Sequence, residues 1–140
     1  MSRNIEDLTG EMQQKYSEFS ERMRQAQNDY ILTCTRRLEQ EQLDNYKKGR
    51  KFENGKWIVV DPKKCVTWTL NSRHLTGQAF DICIMINGKP MWNAELDTDK
   101  DGVPEYTEAG LIGESIGLKW GGRFLNKKGE PNPDAAHFEL

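Results

Sequence analysis

The chain has 140 residues, 36% hydrophobic and 30% charged, with 20 basic side chains against 22 acidic ones and a net charge of −2. That size and balance suit one soluble globular domain with a buried core and exclude a disordered chain. There is no basic surplus of the kind a nucleic-acid partner selects, and no apolar run of the length a membrane span requires.

Residues 5 to 27 predict an amphipathic helix. Ile5, Leu8, Met12, Tyr16, Phe19, Met23 and Ala26 recur at steps of three or four and form one apolar stripe. Gly10 weakens its first turns. The other face mixes Glu and Gln with Lys and Arg, so the stripe suits core packing better than a membrane surface. Asn28-Asp29 break the pattern, and Tyr30 to Thr35 form a short β-branched strand. It runs into Arg36-Arg37 and then a helix to Lys48, stopped by Gly49. Asn54-Gly55 signals a tight turn, and Trp57 to Val60 a short strand. Trp57 and Trp68 fit either a groove lining or ordinary packing.

Residues 72 to 81 hold one of the two histidines, His74, and end on Asp81 at the head of an apolar run. In the strand 80 to 86, Phe80, Ile82, Ile84 and Ile86 face one way; Asp81, Cys83 and Met85 face the other. Asn87-Gly88 makes a hairpin turn into residues 89 to 92, where Pro90 marks an edge strand. Gly77 permits the turn that brings His74 and Asp81 to one point. The second histidine, His137, opens a last strand, with Phe138 and Leu140 towards the core and His137 and Glu139 towards the site. Two histidines and one aspartate suffice for a catalytic zinc, which takes three protein ligands and keeps one open position. Taken singly, each also fits an ordinary surface histidine or strand-end aspartate.

Residues 97 to 108 follow the EF-hand loop pattern. Asp97, Asp99, Asp101 and Glu108 stand at loop positions 1, 3, 5 and 12, Gly102 at 6, Val103 at 7 with its carbonyl, and Glu105 at 9. Five carboxylates so close repel one another unless a cation neutralises them. The alternative is a solvated acidic turn; the register of Gly102 and Glu108 favours calcium, structural or regulatory. Residues 92 to 96 are too few for an entering helix, and 107 to 117 form the exiting one. Cys34, Cys65 and Cys83 are odd in number and scattered, which argues against a disulfide framework and for buried thiols. Cys83 as a soft metal ligand is the alternative.

Ser72, His74, Gly77, Ala79 and Asp81, followed near the chain end by Asp134 and His137 as Asp-x-x-His, resemble the zinc peptidases that include D-Ala-D-Ala carboxypeptidases and L-alanyl-D-glutamate endopeptidases. Arg36, Gln40, Leu43, Tyr46, Gly49 and Arg50 resemble that family's Arg-Ser-x-x-Gln-x-x-Leu-Tyr-x-x-Gly-Arg segment, with Arg37 where Ser is usual. Leu118, Trp120, Gly121 and Gly122 resemble its Gly-Leu-x-Trp-Gly-Gly-x-Trp segment, with Phe124 for the second Trp. The resemblance covers roughly residues 30 to 140.

It implies an α+β fold, residues 1 to 140 as a single domain, with a small antiparallel sheet carrying the site and helices packed on one side. It implies zinc held by His74, Asp81 and His137, Asp134 as general base, and Arg36 orienting substrate or stabilising oxyanion charge. Ser72, Trp120 and Gly121 would line the substrate groove. The chain is similar above all to compact phage endolysins that cleave the L-alanyl-D-glutamate bond of peptidoglycan stem peptides. The alternatives are a D-alanyl-D-alanine carboxypeptidase or dipeptidase, and a non-catalytic calcium-dependent wall-binding module. With no signal-like segment at its start, the expectation is a monomer made in the host cytoplasm, without stable membrane insertion, that reaches the wall with the help of a pore-forming lysis partner.

Overall fold

The computed structural model describes residues 1–140. The first helix, α1 (Gly10–Gln25), starts later than its apolar stripe. The Thr9 hydroxyl caps it by accepting from the Met12 N–H (3.2 Å), and Ile5–Asp7 form a separate 3-10 turn. Leu8, Met12, Tyr16, Phe19 and Met23 are buried as the stripe requires, while Ile5 and Ala26, at its ends, are exposed.

Strand β1 (Tyr30–Cys34) follows, then helix α2 (Glu39–Lys47), closed by Gly49 at φ +77°. Asn54 and Gly55, both at positive φ, turn β2 (Arg50–Glu53) into β3 (Lys56–Val59), a hairpin that forms its own small sheet. Strand β4 (Ala79–Ile86) is the centre of the main sheet. β1 pairs along one edge of it. On the other edge β7 (His137–Glu139) takes the first half and β5 (Lys89–Met91) the second. Pro90 thus stands on a peripheral strand, as expected. Helix α3 (Glu105–Ser115) leads to β6 (Lys119–Trp120), which pairs only with β7.

The fold is α+β, with an antiparallel main sheet in the order β1-β4-β7-β6. α1 and α3 bury its Phe80, Ile82, Ile84 and Phe138 face. Phe80 and Phe138 stack 5.3 Å apart at 16°, with Phe19 of α1 set against both rings. The opposite face, carrying Asp81 and His137, stays clear of the long helices and becomes the site.

Glycines let α3 lie this close to the sheet. A Cβ on Gly113 would come within 2.6 Å of the Phe138 ring, and one on Gly110 would strike the Trp120 indole. Phe138 is the neighbour of His137, so this contact also sets where β7 lies. Gly113→Ala should destabilise the protein by about 1–3 kcal/mol through overpacking. Denaturant unfolding checks this; an unchanged midpoint would contradict the close-packing account.

Candidate metal centre and catalytic cleft

The site is built from two segments that pairing brings together. In the β4–β7 ladder Asp81 stands directly opposite His137. His74 lies in the 3-10 turn Arg73–Thr76. The Ser72 hydroxyl caps that turn by accepting from the His74 N–H (3.2 Å), and Gly77 at φ +71° ends it. A Cβ on Gly77 would meet the Asp7 carbonyl at 2.6 Å, so the glycine also lets the N-terminal segment pack beneath the turn.

The two imidazoles converge on one oxygen. His74 Nε2 and His137 Nδ1 donate to Asp81 Oδ1 at 3.1 and 3.0 Å. Their other nitrogens are also engaged: His74 Nδ1 donates to the Thr35 carbonyl (2.7 Å) and His137 Nε2 to Glu139 Oε1 (2.9 Å). Each ring therefore has acceptors on both nitrogens, which calls for the imidazolium. Burial opposes the charge on His74, yet the hydrogen bonds to Asp81 and Cys34 outweigh it and raise its pKa to about 10. His137, buried as well, is raised to about 9 by its bonds to Asp81 and Glu139. For Asp81 burial works against ionisation, but the His137 and His74 bonds prevail and hold it well below the usual carboxylate range.

This arrangement fits a divalent cation. The two N–H protons aimed at Asp81 stand where an ion would replace them, leaving two neutral nitrogens and a carboxylate as ligands. The outer bonds to the Thr35 carbonyl and to Glu139 fix the orientation of each ring, the usual support of a metal-bound histidine. Cys34 approaches His74 at 3.6 Å from the Nδ1 side, the side already bonded to Thr35. Cys34 also stands opposite Asp81 in the β1–β4 ladder, and the ligand atoms of Cys34, His74 and Asp81 all lie within 4.8 Å of one another. Cys83 is buried beneath Tyr106.

Asp134 reaches the same point. Its carboxylate groups with Asp81 and His137, their ligand atoms all within 4.8 Å of one another. Burial and the negative charge of Asp81 raise its pKa, which suits a proton acceptor. Its place before β7 is held by the Gly121 carbonyl, which accepts from the Asp134 N–H (2.8 Å).

The arginine of the site is Arg37. Arg36 is exposed on the outer side, where its carbonyl accepts from the Ser2 N–H. Arg37 lines the cleft, with one guanidinium nitrogen 3.9 Å from Asp81 Oδ2 and another donating to Gln42 Oε1 (2.7 Å). Its Nε is buried without a partner. Gln42, fully buried, also donates to Thr67 and to the Thr69 carbonyl, whereas Gln40 is exposed and bonded to Asp44. The fold thus turns Arg37 and Gln42 inward and leaves Arg36 and Gln40 exposed.

Of Ser72, Trp120 and Gly121, only Ser72 lies on the cleft wall. Ser72 lines a cleft of about 650 Å³ together with His74, Asp81, Asp134, His137 and Phe124. Trp120 is core: its ring packs over Gly110 and Gly122 and its indole N–H donates to the Ala135 carbonyl (2.9 Å). Gly121 lies behind the site, where a Cβ would press on His137 Cβ at 3.0 Å. Both support the site from beneath rather than lining it.

The acidic loop lies outside this cleft. Asp97, Asp99 and Asp101 gather with carboxylate oxygens within 4.8 Å, and Asp97 Oδ1 is buried without a partner. Val103 donates its N–H to Asp101 (2.8 Å), and Glu108 lies in the first turn of α3. Burial and the charges of Asp101 and Asp99 push Glu108 up. Glu105 turns inward instead, accepting from the Thr98 N–H and hydroxyl. No helix enters the loop, as expected from its short lead-in.

Comparison with known proteins agrees with this arrangement. The fold is similar to the crystal structure of Serratia marcescens L-Ala D-Glu endopeptidase ChiX, with a TM-score of 0.63 and 18% identity over 98% of this chain and 83% of that one. No curated protein sequence matches the chain. A family model described as D-alanyl-D-alanine carboxypeptidase matches residues 66–140, the segment that supplies His74, Asp81, Asp134 and His137. The chain belongs to the D-alanyl-D-alanine carboxypeptidase family of peptidases.

Proposed function

We propose that the protein is a zinc peptidase that hydrolyses the L-alanyl-D-glutamate bond of peptidoglycan stem peptides. The observation that carries this reading is the convergence of His74 and His137 on Asp81, with Asp134 beside them, in one cleft. The fold shared with an L-Ala D-Glu endopeptidase supports the choice of bond. The proposal extends to a phage lysis enzyme, made in the host cytoplasm and delivered to the wall through a separate pore-forming protein. A second reading, removal of a terminal D-alanine, is favoured by the family's description and by Arg37 and Arg73 in the cleft, either of which could bind a terminal carboxylate.

When bound by His74, Asp81 and His137, zinc supplies Lewis-acid activation of water and of the scissile carbonyl. Asp134 accepts the proton of the attacking water and returns it to the leaving amine. Arg37, held by Gln42, presents its guanidinium to the substrate carbonyl oxygen as negative charge develops there. Glu139 and the Thr35 carbonyl keep the two rings aimed at Asp81.

Digestion of Gram-negative peptidoglycan with the zinc-loaded protein, followed by mass analysis, separates the two readings. L-alanine left on the muramyl glycan and peptide remnants lacking it are expected; release of D-alanine alone would move the assignment to a carboxypeptidase.

Asp134→Asn should lower kcat roughly 10²–10⁴-fold with zinc retained. Loss of zinc from that variant would make Asp134 a ligand instead. Arg37→Ala should lower kcat/KM on the order of 10²-fold, and Arg36→Ala should leave it within about twofold. Equal losses would return Arg36 to the site.

Metal uptake should release protons, because His74 and His137 keep theirs up to about 10 and 9 while ligation needs neutral nitrogens. Affinity should therefore rise with pH through neutrality. In the metal-free protein both pKa values lie above the ordinary 6.5. Their stabilising contribution is complete below that value and is lost as pH climbs towards 9 and 10. Calorimetry in buffers of different ionisation heat reads the protons directly; binding without proton release would contradict the protonated pair.

For the acidic loop we propose calcium, held by Asp97, Asp99, Asp101, Glu108 and the Val103 carbonyl, which would relieve the mutual repulsion at the start of α3. Calcium should raise the Tm of the natural protein and leave the Asp99→Ala, Asp101→Ala double variant unmoved. An equal shift in both would place the effect elsewhere.

A further inference from the structure

The cleft carries more than the hydrolytic group needs. Its walls include Trp68 and Trp92, which are 54% and 63% exposed. Trp68 lies in the loop before the His74 turn, and Trp92 directly follows β5. The chain's other two tryptophans behave differently. Trp120 is buried, and Trp57 packs against Tyr46 and Phe52 on the β2–β3 hairpin.

Trp68 is braced from one side. The Arg50 guanidinium carbon lies 5.0 Å from its ring centroid and 4.0 Å from that of Tyr46, while Arg50 donates to the Tyr46 carbonyl (2.8 Å). An indole held in this way presents a firm flat surface to solvent. Asn71 and Asn132 line the same cleft and offer uncharged amide donors and acceptors. Flat apolar rings beside amides match a pyranose, whose C–H face is apolar and whose rim of hydroxyl and acetamido groups is polar.

We propose that Trp68 and Trp92, with Asn71 and Asn132, bind the amino-sugar strand of peptidoglycan next to the scissile peptide. The inference rests on the peptidoglycan-hydrolysing reading above and sharpens it. Continuity names the occupant: the aromatic rim and the His74–Asp81–His137 group line one cleft, so whatever covers the rim is joined to the peptide being cut. Length then chooses the bond. At roughly 3.5 Å per extended residue, one residue separates sugar from scissile bond at L-alanyl-D-glutamate. At D-alanyl-D-alanine four residues intervene, roughly 14 Å of chain, and the sugar would fall well away from the hydrolytic group.

The test uses the zinc-loaded, 15N-labelled protein and glycan strands stripped of their stem peptides. The indole N–H signals of Trp68 and Trp92 should shift on titration while those of Trp57 and Trp120 stay in place. Unmoved Trp68 and Trp92 signals, or uniform movement of all four, would overturn the proposal. A second measurement compares kcat/KM on a disaccharide-linked stem peptide and on the same peptide without sugar. In Trp68→Ala and Trp92→Ala, both at exposed positions, the ratio of the two should fall on the order of tenfold. An unchanged ratio would overturn the sugar assignment. Should the natural protein cut neither substrate at L-alanyl-D-glutamate, the functional reading fails, and the glycan titration still decides the rim by itself.

Discussion

One carboxylate shared by two histidines is the constraint on which the rest of the structure depends. Asp81 Oδ1 accepts from His74 and His137, residues 63 positions apart in the chain. The encounter requires the β4–β7 register, because side chains alternate between the faces of a sheet and a slip of one residue would send His137 into the core. The register is secured from the opposite face. There Phe80 and Phe138, the neighbours of Asp81 and His137, stack on each other and are covered by Phe19 and by the bare Gly113 of α3. Apolar packing on one side thus fixes the geometry of a polar group on the other.

Without an ion, the same constraint creates an electrostatic conflict that the fold resolves with protons. Buried imidazoles ordinarily stay neutral, but a carboxylate between them and acceptors behind them keep both charged. A dication held by His74, Asp81 and His137 would take over the role of two protons, with the outer bonds to Thr35 and Glu139 left in place. Asp134 stands within 4.8 Å of the same group, its pKa raised by burial and by the Asp81 charge.

Much of this was legible in the sequence because it depends on local rules. Alternation in residues 80 to 86 assigned Asp81 to the site face, Asn-Gly pairs marked both hairpins, and Gly77 announced the turn that carries His74. What stayed hidden depends on backbone irregularity and on non-local packing. A register shift between Leu32 and Cys34 changes which residues after β1 face the cleft, so Arg37 rather than Arg36 points inward. Trp120 turns to the core because Gly110, ten residues earlier on α3, leaves room for its ring. Neither fact has a signature in the spacing of the residues themselves. The acidic loop was legible too, since Asp97, Asp99 and Asp101 gather as their spacing in the sequence suggests.

Anomalous diffraction at the zinc edge, from crystals grown with zinc, tests most directly whether the Asp81–His74–His137 triangle is a metal centre. A single dominant peak bonded to His74 Nε2, His137 Nδ1 and Asp81, with Asp134 nearby but outside the ligand set, is the expected result. A triangle still closed by its own hydrogen bonds at saturating zinc, or zinc held instead on Cys34, would contradict it.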